Sequence, residues 1–211
     1  MEKARLIYRC DSESGARTMF TIKNKPTNGT KLRIVQNFIP LNRCTRKSRY
    51  PTPHIAHIVL CIYKNAKNVF FITDAANSCY AIPLCHSDWL LTAFIRPNGE
   101  YCNGVMCQGL TGGVHTYSCF RDFTFGNIPA DDISGTPAFP LIISDRGDVA
   151  FDYMVDDSYG STTNFETIFK FLHEEFFQRS AFGPIYLKRV KSYFSYPSLE
   201  FLGLKGCIAG L

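Results

Sequence analysis

The chain has 211 residues, 45% of them apolar and 19% charged, with a formal charge of +5. That balance suffices for a buried core in one compact unit or two small lobes and excludes a low-complexity chain. The mild positive charge permits a polyanionic partner. No apolar run reaches membrane-spanning length, and Met1-Glu2-Lys3-Ala4-Arg5 lacks a signal-peptide pattern, so an intracellular, cytoplasmic setting is expected. The nine cysteines are scattered, odd in number and without a Cys-x-x-Cys pair, which reads as free thiols in a reducing compartment.

In chain order, Thr18 to Ile22 and Leu32 to Phe38 are strand candidates joined by turn chemistry centred on Asn28-Gly29. Their hairpin would carry Lys23, Lys25 and Lys31 at its tip, either a solvated face or a basic finger over phosphates. Residues 39–56 hold Arg43, Arg46, Lys47 and Arg49, then Tyr50-Pro51-Thr52-Pro53, and read as an extended connector. Residues 55–63 suit a short buried helix. Pro97-Asn98-Gly99 predicts a hairpin turn between Leu91–Ile95 and a strand from Tyr101. A glycine-containing stretch, Met106 to Gly113, leads into a helix expected over Val114 to Phe125. Residues 127–147 read as an irregular loop. Thr163-Asn164-Phe165-Glu166 matches a capping box and opens a helix. That helix should place Phe165, Phe169, Leu172 and Phe176 on one core-facing stripe. Lys191–Ser195 and Leu199–Leu204 complete the strand candidates.

Two apolar runs stand out by how they end. Val69-Phe70-Phe71-Ile72-Thr73 ends on Asp74, and Val149 to Val155 ends on Asp156-Asp157. Each could be an ordinary turn aspartate. Brought together at one edge of a core, the three carboxylates would repel one another unless cations lay between them. Hard oxygen ligands of this kind suit Mg²⁺, whose usual work with few carboxylates is phosphoryl or nucleotidyl transfer.

Five stretches then combine. They are Arg33-Ile34-Val35-Gln36-Asn37-Phe38-Ile39-Pro40-Leu41-Asn42 with Tyr50-Pro51-Thr52-Pro53; Phe71-Ile72-Thr73-Asp74-Ala75-Ala76-Asn77 through Pro97-Asn98-Gly99; Met106 to Gly113 with His115-Thr116-Tyr117; Met154-Val155-Asp156-Asp157; and Phe182-Gly183-Pro184 to Lys191, closed by Glu200-Phe201-Leu202-Gly203. In this order and spacing they resemble the reverse transcriptase of Ty3/Gypsy-type LTR retrotransposons, the fungal elements especially, from about Phe20 to Leu204.

The resemblance implies an α+β right-hand polymerase: a palm of antiparallel sheet backed by helices, with fingers, and a thumb largely absent. Fingers would take approximately 1–54 and 82–112, and palm approximately 55–81 and 113–205. It implies an RNA-directed DNA polymerase that adds deoxynucleotides to a primer 3′-hydroxyl on an RNA or DNA template. It implies two Mg²⁺ ions, with Mn²⁺ as a substitute, held by Asp74, Asp156 and the main-chain carbonyl of Ala75. Asp157 would lie close by and be less directly bound. Arg33 and Lys25 would reach the incoming triphosphate. Gln108 would stand beside the nucleotide sugar and Cys79 beneath it. Lys191 would be a proton donor to pyrophosphate, and Leu199 to Leu204 would grip the primer.

Several positions depart from the family pattern. Asn37 stands where aspartate is usual, and Ile39 where arginine is. Leu91 replaces a lysine, Val105 an arginine, Cys79 an aromatic plate under the sugar, and Met154 an aromatic residue. None removes a metal ligand. The chain also carries no RNase H, integrase or protease segment. A fragment of a polyprotein is therefore expected, from an element that when intact forms a virus-like particle. The alternative reading is a catalytically decayed remnant that at most binds nucleic acid.

Overall fold

The computed structural model describes residues 5–11, 18–24, 32–47, 50–51, 54–63, 68–125, 148–201 and 204–207. The Asn28-Gly29 turn, Lys25, Lys31 and the 127–147 loop lie outside the described residues, as do the side chains of Lys23 and Arg33. In chain order the first half contains strands β1 (Ile7–Arg9), β2 (Thr18–Asn24) and β3 (Leu32–Gln36), helices α1 (Ile39–Cys44) and α2 (Ile55–Tyr63), and strand β4 (Val69–Asp74). Two 3₁₀ segments, Ser78–Ala81 and His86–Thr92, precede β5 (Phe94–Arg96) and β6 (Gly99–Asn103). Helix α3 (Gly113–Phe125), strands β7 (Val149–Met154) and β8 (Asp157–Thr162), and helices α4 (Phe165–Phe171) and α5 (Phe177–Phe182) follow. Strands β9 (Tyr193–Tyr196), β10 (Ser198–Phe201) and β11 (Leu204–Cys207) come last.

The chain forms two compact units, Met1–Arg49 with Cys79–Thr116, and Tyr50–Ser78 with Tyr117–Leu211. In the first, β2 and β3 pair antiparallel, as the turn signal predicts, within a sheet of order β1-β6-β5-β2-β3. Ile7, Phe94 and Tyr101 form its buried cluster. Residues 39–44 are helical, not extended: Pro40 sits in the first turn of α1, where its fixed φ fits and its missing N–H costs nothing. The Asn42 side chain pins a neighbouring loop, donating to the Gly109 carbonyl at 2.8 Å and accepting from the Thr111 N–H at 2.7 Å. Gly109 has φ +97°, a conformation that glycine adopts without strain.

The second unit is built on an antiparallel sheet of order β7-β8-β4-β9. Alternation along β4 sends Phe70 to one face, where it meets Ile58 and Val59 of α2 and Tyr159. Phe71 goes to the other face, among the rings of Phe151, Phe171 and Phe176. Gly160 lies under Phe71, and a Cβ there would overlap that ring. The capping reading needs a shift of one residue: Asn164 is the cap, its side-chain oxygen accepting from Thr167 N–H at 2.9 Å. The aromatic stripe also divides. Leu172 and Phe176 are buried, whereas Phe165 and Phe169 are each 63% exposed. A π-helical turn at Leu172–Phe176 separates α4 from α5 and breaks the simple 3.6-residue spacing. Ile168 and Phe171 occupy the core side of α4 instead.

Candidate active site

Strand β4 delivers Asp74 to the end of the sheet, and the β7–β8 hairpin delivers the acidic pair beside it. Asp74 and Asp157 are direct partners across the β4–β8 ladder. Residues so paired share a face, with Cβ atoms about 4.5–5.5 Å apart. Asp156 belongs to the tight turn. Its main-chain oxygen accepts from Ala75 N–H at 2.8 Å, and its Oδ1 accepts from the Ser78 hydroxyl at 2.6 Å. Met154 pairs with Asp157, so the hairpin loop is only Val155-Asp156. Two-residue loops favour left-handed backbone, and Val155 takes φ +50°. For a β-branched residue that is strained, and it lies next to Asp156.

Arg121 of α3 supports this turn from within the second unit. Its guanidinium is fully buried, lies over the Tyr153 ring at 4.7 Å and the Phe125 ring at 5.0 Å, and donates to the Ser158 hydroxyl. It also reaches the Val155 carbonyl at 3.4 Å. Asp122, the next residue, accepts from the hydroxyls of Tyr50 and Tyr153.

The charge on Asp74 is met by lysines. Lys188 Nζ donates to Oδ1, and Lys191 Nζ donates to Oδ2 at 2.7 Å. Burial alone would raise the Asp74 pKa, but the two ammonium groups outweigh it and hold the carboxyl below its ordinary value. The same pairing holds the Lys191 ammonium above its ordinary value, so it is protonated at neutral pH. Asp157 behaves oppositely. Burial, and then the neighbouring charges of Asp74 and Asp156, push its carboxyl up. Asp157 therefore ionises more readily in the unfolded chain than in the folded one, and its ionisation at neutral pH favours unfolding. Asp157→Asn should raise the melting temperature at pH 7. The gain should vanish as the pH falls through the ordinary carboxylate range, where the parent side chain is protonated in both states. Thermal melts of both proteins at pH 7 and about pH 2.5, below the ordinary Asp value, check this; an unchanged difference would show that the cost of ionising Asp157 in the folded chain is not the cause.

Among the described residues, no three His, Cys, Asp or Glu side chains are gathered tightly enough to chelate an ion as they stand. The donor chemistry nevertheless fits a hard divalent cation. Asp74 and Asp157 are paired at one sheet end with Asp156 in the adjoining turn, and two ammonium groups supply at Asp74 the positive charge that such a cation would bring. Asp74, Asp157 and Lys191 also line a cavity of about 480 Å³, together with Tyr193, Tyr196 and Leu199.

The remaining residues singled out in the sequence are in these places. Ala75 is buried and bridges to Leu187 in an antiparallel pair. Cys79 begins, with Ser78, the 3₁₀ segment after β4, and is half-buried. Its neighbour Cys107 is buried, which pushes that thiol up to about 12. Gln108 is exposed, immediately before Gly109. Arg33 is in β3, paired with Lys23 of β2. Asn37 uses its side-chain oxygen to accept from Ile39 N–H at 3.0 Å, at the start of α1. Sequence reasoning missed Ser78, Arg121 and Lys188. For Lys188 the available signal was its spacing of three from Lys191; for Arg121 it was a cation within an otherwise apolar helix face.

No family model matches the chain. Solved structures do match. The foamy virus protease–reverse transcriptase in complex with an RNA/DNA hybrid superposes with a TM-score of 0.76 over 97% of this chain, at 18% identity. The foamy viral protease–reverse transcriptase in complex with dsDNA superposes with a TM-score of 0.79 over 99% of this chain, also at 18% identity. The chain spans 24% and 38% of the length of those two chains. The fold is thus of the reverse-transcriptase type, α+β with antiparallel sheets backed by helices.

Proposed function

We propose that this chain is the polymerase core of a Ty3/Gypsy-type retroelement reverse transcriptase, extending a primer on an RNA or DNA template with deoxynucleotides. The observation that carries this is the register that sets Asp74 against Asp157, with Asp156 in the adjoining turn, on a fold of the reverse-transcriptase type. In this reading the first unit corresponds to fingers and the second to palm. Asp74, Asp156 and the Ala75 carbonyl hold two Mg²⁺ ions, and Asp157 adds negative charge beside them. Such ions, when bound, lower the pKa of the primer hydroxyl and neutralise the triphosphate and leaving group. Lys191, protonated at neutral pH, supplies a proton to departing pyrophosphate. Arg33 and Lys25 bind the triphosphate, and Gln108 lies against the sugar.

The test is extension of an oligo(dT) primer on poly(rA) with Mg²⁺ or Mn²⁺, against Asp156→Asn as background. Extension above that background is the expected result. Salt-sensitive binding of template–primer without extension would overturn the proposal and favour the second reading, a decayed remnant that only binds nucleic acid. The lysine cover on both oxygens of Asp74 favours that second reading.

Cys79 gives the proposal a further consequence. An aromatic plate under the sugar would collide with a 2′-hydroxyl, and cysteine leaves room for one. The parent should therefore discriminate weakly between ribonucleotides and deoxynucleotides. Cys79→Tyr should sharpen discrimination about 10-fold or more, the scale of one steric contact in a pocket. Tyr80 is one residue on in the same 3₁₀ segment and points about 120° away, given three residues per turn. Tyr80→Ala should leave the ratio nearly unchanged. If it abolishes discrimination instead, Tyr80 is the gate.

A further inference from the structure

Lys188 is anchored to Asp74 twice. Its main-chain N–H donates to the Asp74 carbonyl at 2.8 Å, while its ammonium donates to Asp74 Oδ1. The bridge between Ala75 and Leu187 fixes this segment alongside the end of β4. The 3₁₀ turn at Arg189–Lys191 then brings Lys191 round to the same carboxylate, because residues three apart superpose in that geometry. Asp74 has two carboxylate oxygens, and each is taken by a different ammonium group. An inner-sphere divalent cation would have to approach those same oxygens, where the charge and bulk of the two seated ammonium groups oppose its entry. Lys188 is 37% exposed along its side chain, which leaves it free to swing out.

We propose that Lys188 is a resident counter-ion of Asp74, a positioning residue that competes with the divalent cation for this carboxylate. The inference rests on the reading of Asp74 as a metal ligand and adds a residue that sets how readily the metal enters. While Lys188 is seated, only a fraction of molecules is competent to take the ion, and the apparent affinity falls by that fraction. When it swings away, its charge still opposes the incoming cation at short range. Both effects act in one direction: removing the ammonium tightens divalent binding. Loss of structure would do the reverse, so the sign separates competition from a merely structural role.

The experiment is titration of Mn²⁺ into the full chain, reading free Mn²⁺ by electron paramagnetic resonance, without nucleotide or primer. Lys188→Met should bind Mn²⁺ about three- to tenfold more tightly than the parent, the scale of one partly screened charge pair. Lys188→Arg should keep the parent affinity. In an Asp74→Asn background, where the ammonium has no carboxylate to compete for, Lys188→Met should tighten binding clearly less than in the parent. A parent that binds Mn²⁺ with an affinity unchanged or weakened by Lys188→Met would overturn the inference while leaving the metal site intact. If neither the parent nor any variant binds Mn²⁺, the metal-dependent polymerase reading fails, and the inference falls with it.

Discussion

On the proposed function, Asp156→Asn is expected to lower primer extension by about 10³-fold, because loss of one of the proposed metal-binding charges would remove several kcal/mol of transition-state stabilisation. It should do so with little change in stability. The Asn side chain retains an oxygen that can accept from Ser78, and the main-chain bond from Ala75 to residue 156 does not depend on the side chain. The melting temperature should therefore stay within about 2 °C of the parent, as for a substitution worth about 0.5 kcal/mol in a chain of this size. Primer extension and a thermal melt on the same preparations check both halves. Parent-level extension by the variant would remove Asp156 from the mechanism. A large fall in melting temperature would make it a structural residue instead.

Arg121→Met is expected to have the largest effect on stability, about 3 kcal/mol or roughly 10 °C in melting temperature. The substitution roughly preserves volume, so the loss comes from charge and hydrogen bonding. The cation lies against Tyr117, Phe125 and Tyr153, and its contacts with Ser158 and Val155 tie helix α3 to both ends of the acidic turn. It also partly offsets the charge of Asp152, whose carboxyl is pushed up by burial. Without it, the strained φ of Val155 loses a restraint and Asp152 loses a counter-charge. Arg121→Lys should recover only part of the loss, since a single ammonium cannot reproduce the planar contacts with the rings. Denaturant melts of the three proteins measure this. A neutral Arg121→Met would mean that the apolar rings, not the cation, hold α3 over the sheet.

The sequence by itself determined the elements whose pattern is local. The apolar runs ending on Asp74 and Asp156-Asp157 are strands because short, mostly apolar runs rich in aromatic or β-branched residues act within a few residues. Asn28-Gly29 predicts a hairpin, and the strands on either side of it are paired. The helix before Phe125 is where its apolar spacing places it. The tertiary structure decided what depends on neighbours distant in the chain. Thr163 to Glu166 fits a capping box in the sequence, whereas in the structure Asn164 caps α4 through its side-chain oxygen. Phe165 and Phe169 obey helical spacing yet face outward, because α4 seats Ile168 and Phe171 on the core side, and Phe171 and, within the π turn that follows, Phe176 reach Phe71. Three aspartates can be read as an acidic group from their positions in the sequence. That Asp156 is held by Ser78 follows from strand register, and that Asp74 is held by Lys188 follows from the bridge of Leu187 to Ala75, over a hundred residues apart in the chain. Local pattern fixes where strands and helices form; the packing of distant segments fixes which helix face is buried and which charge a side chain meets there.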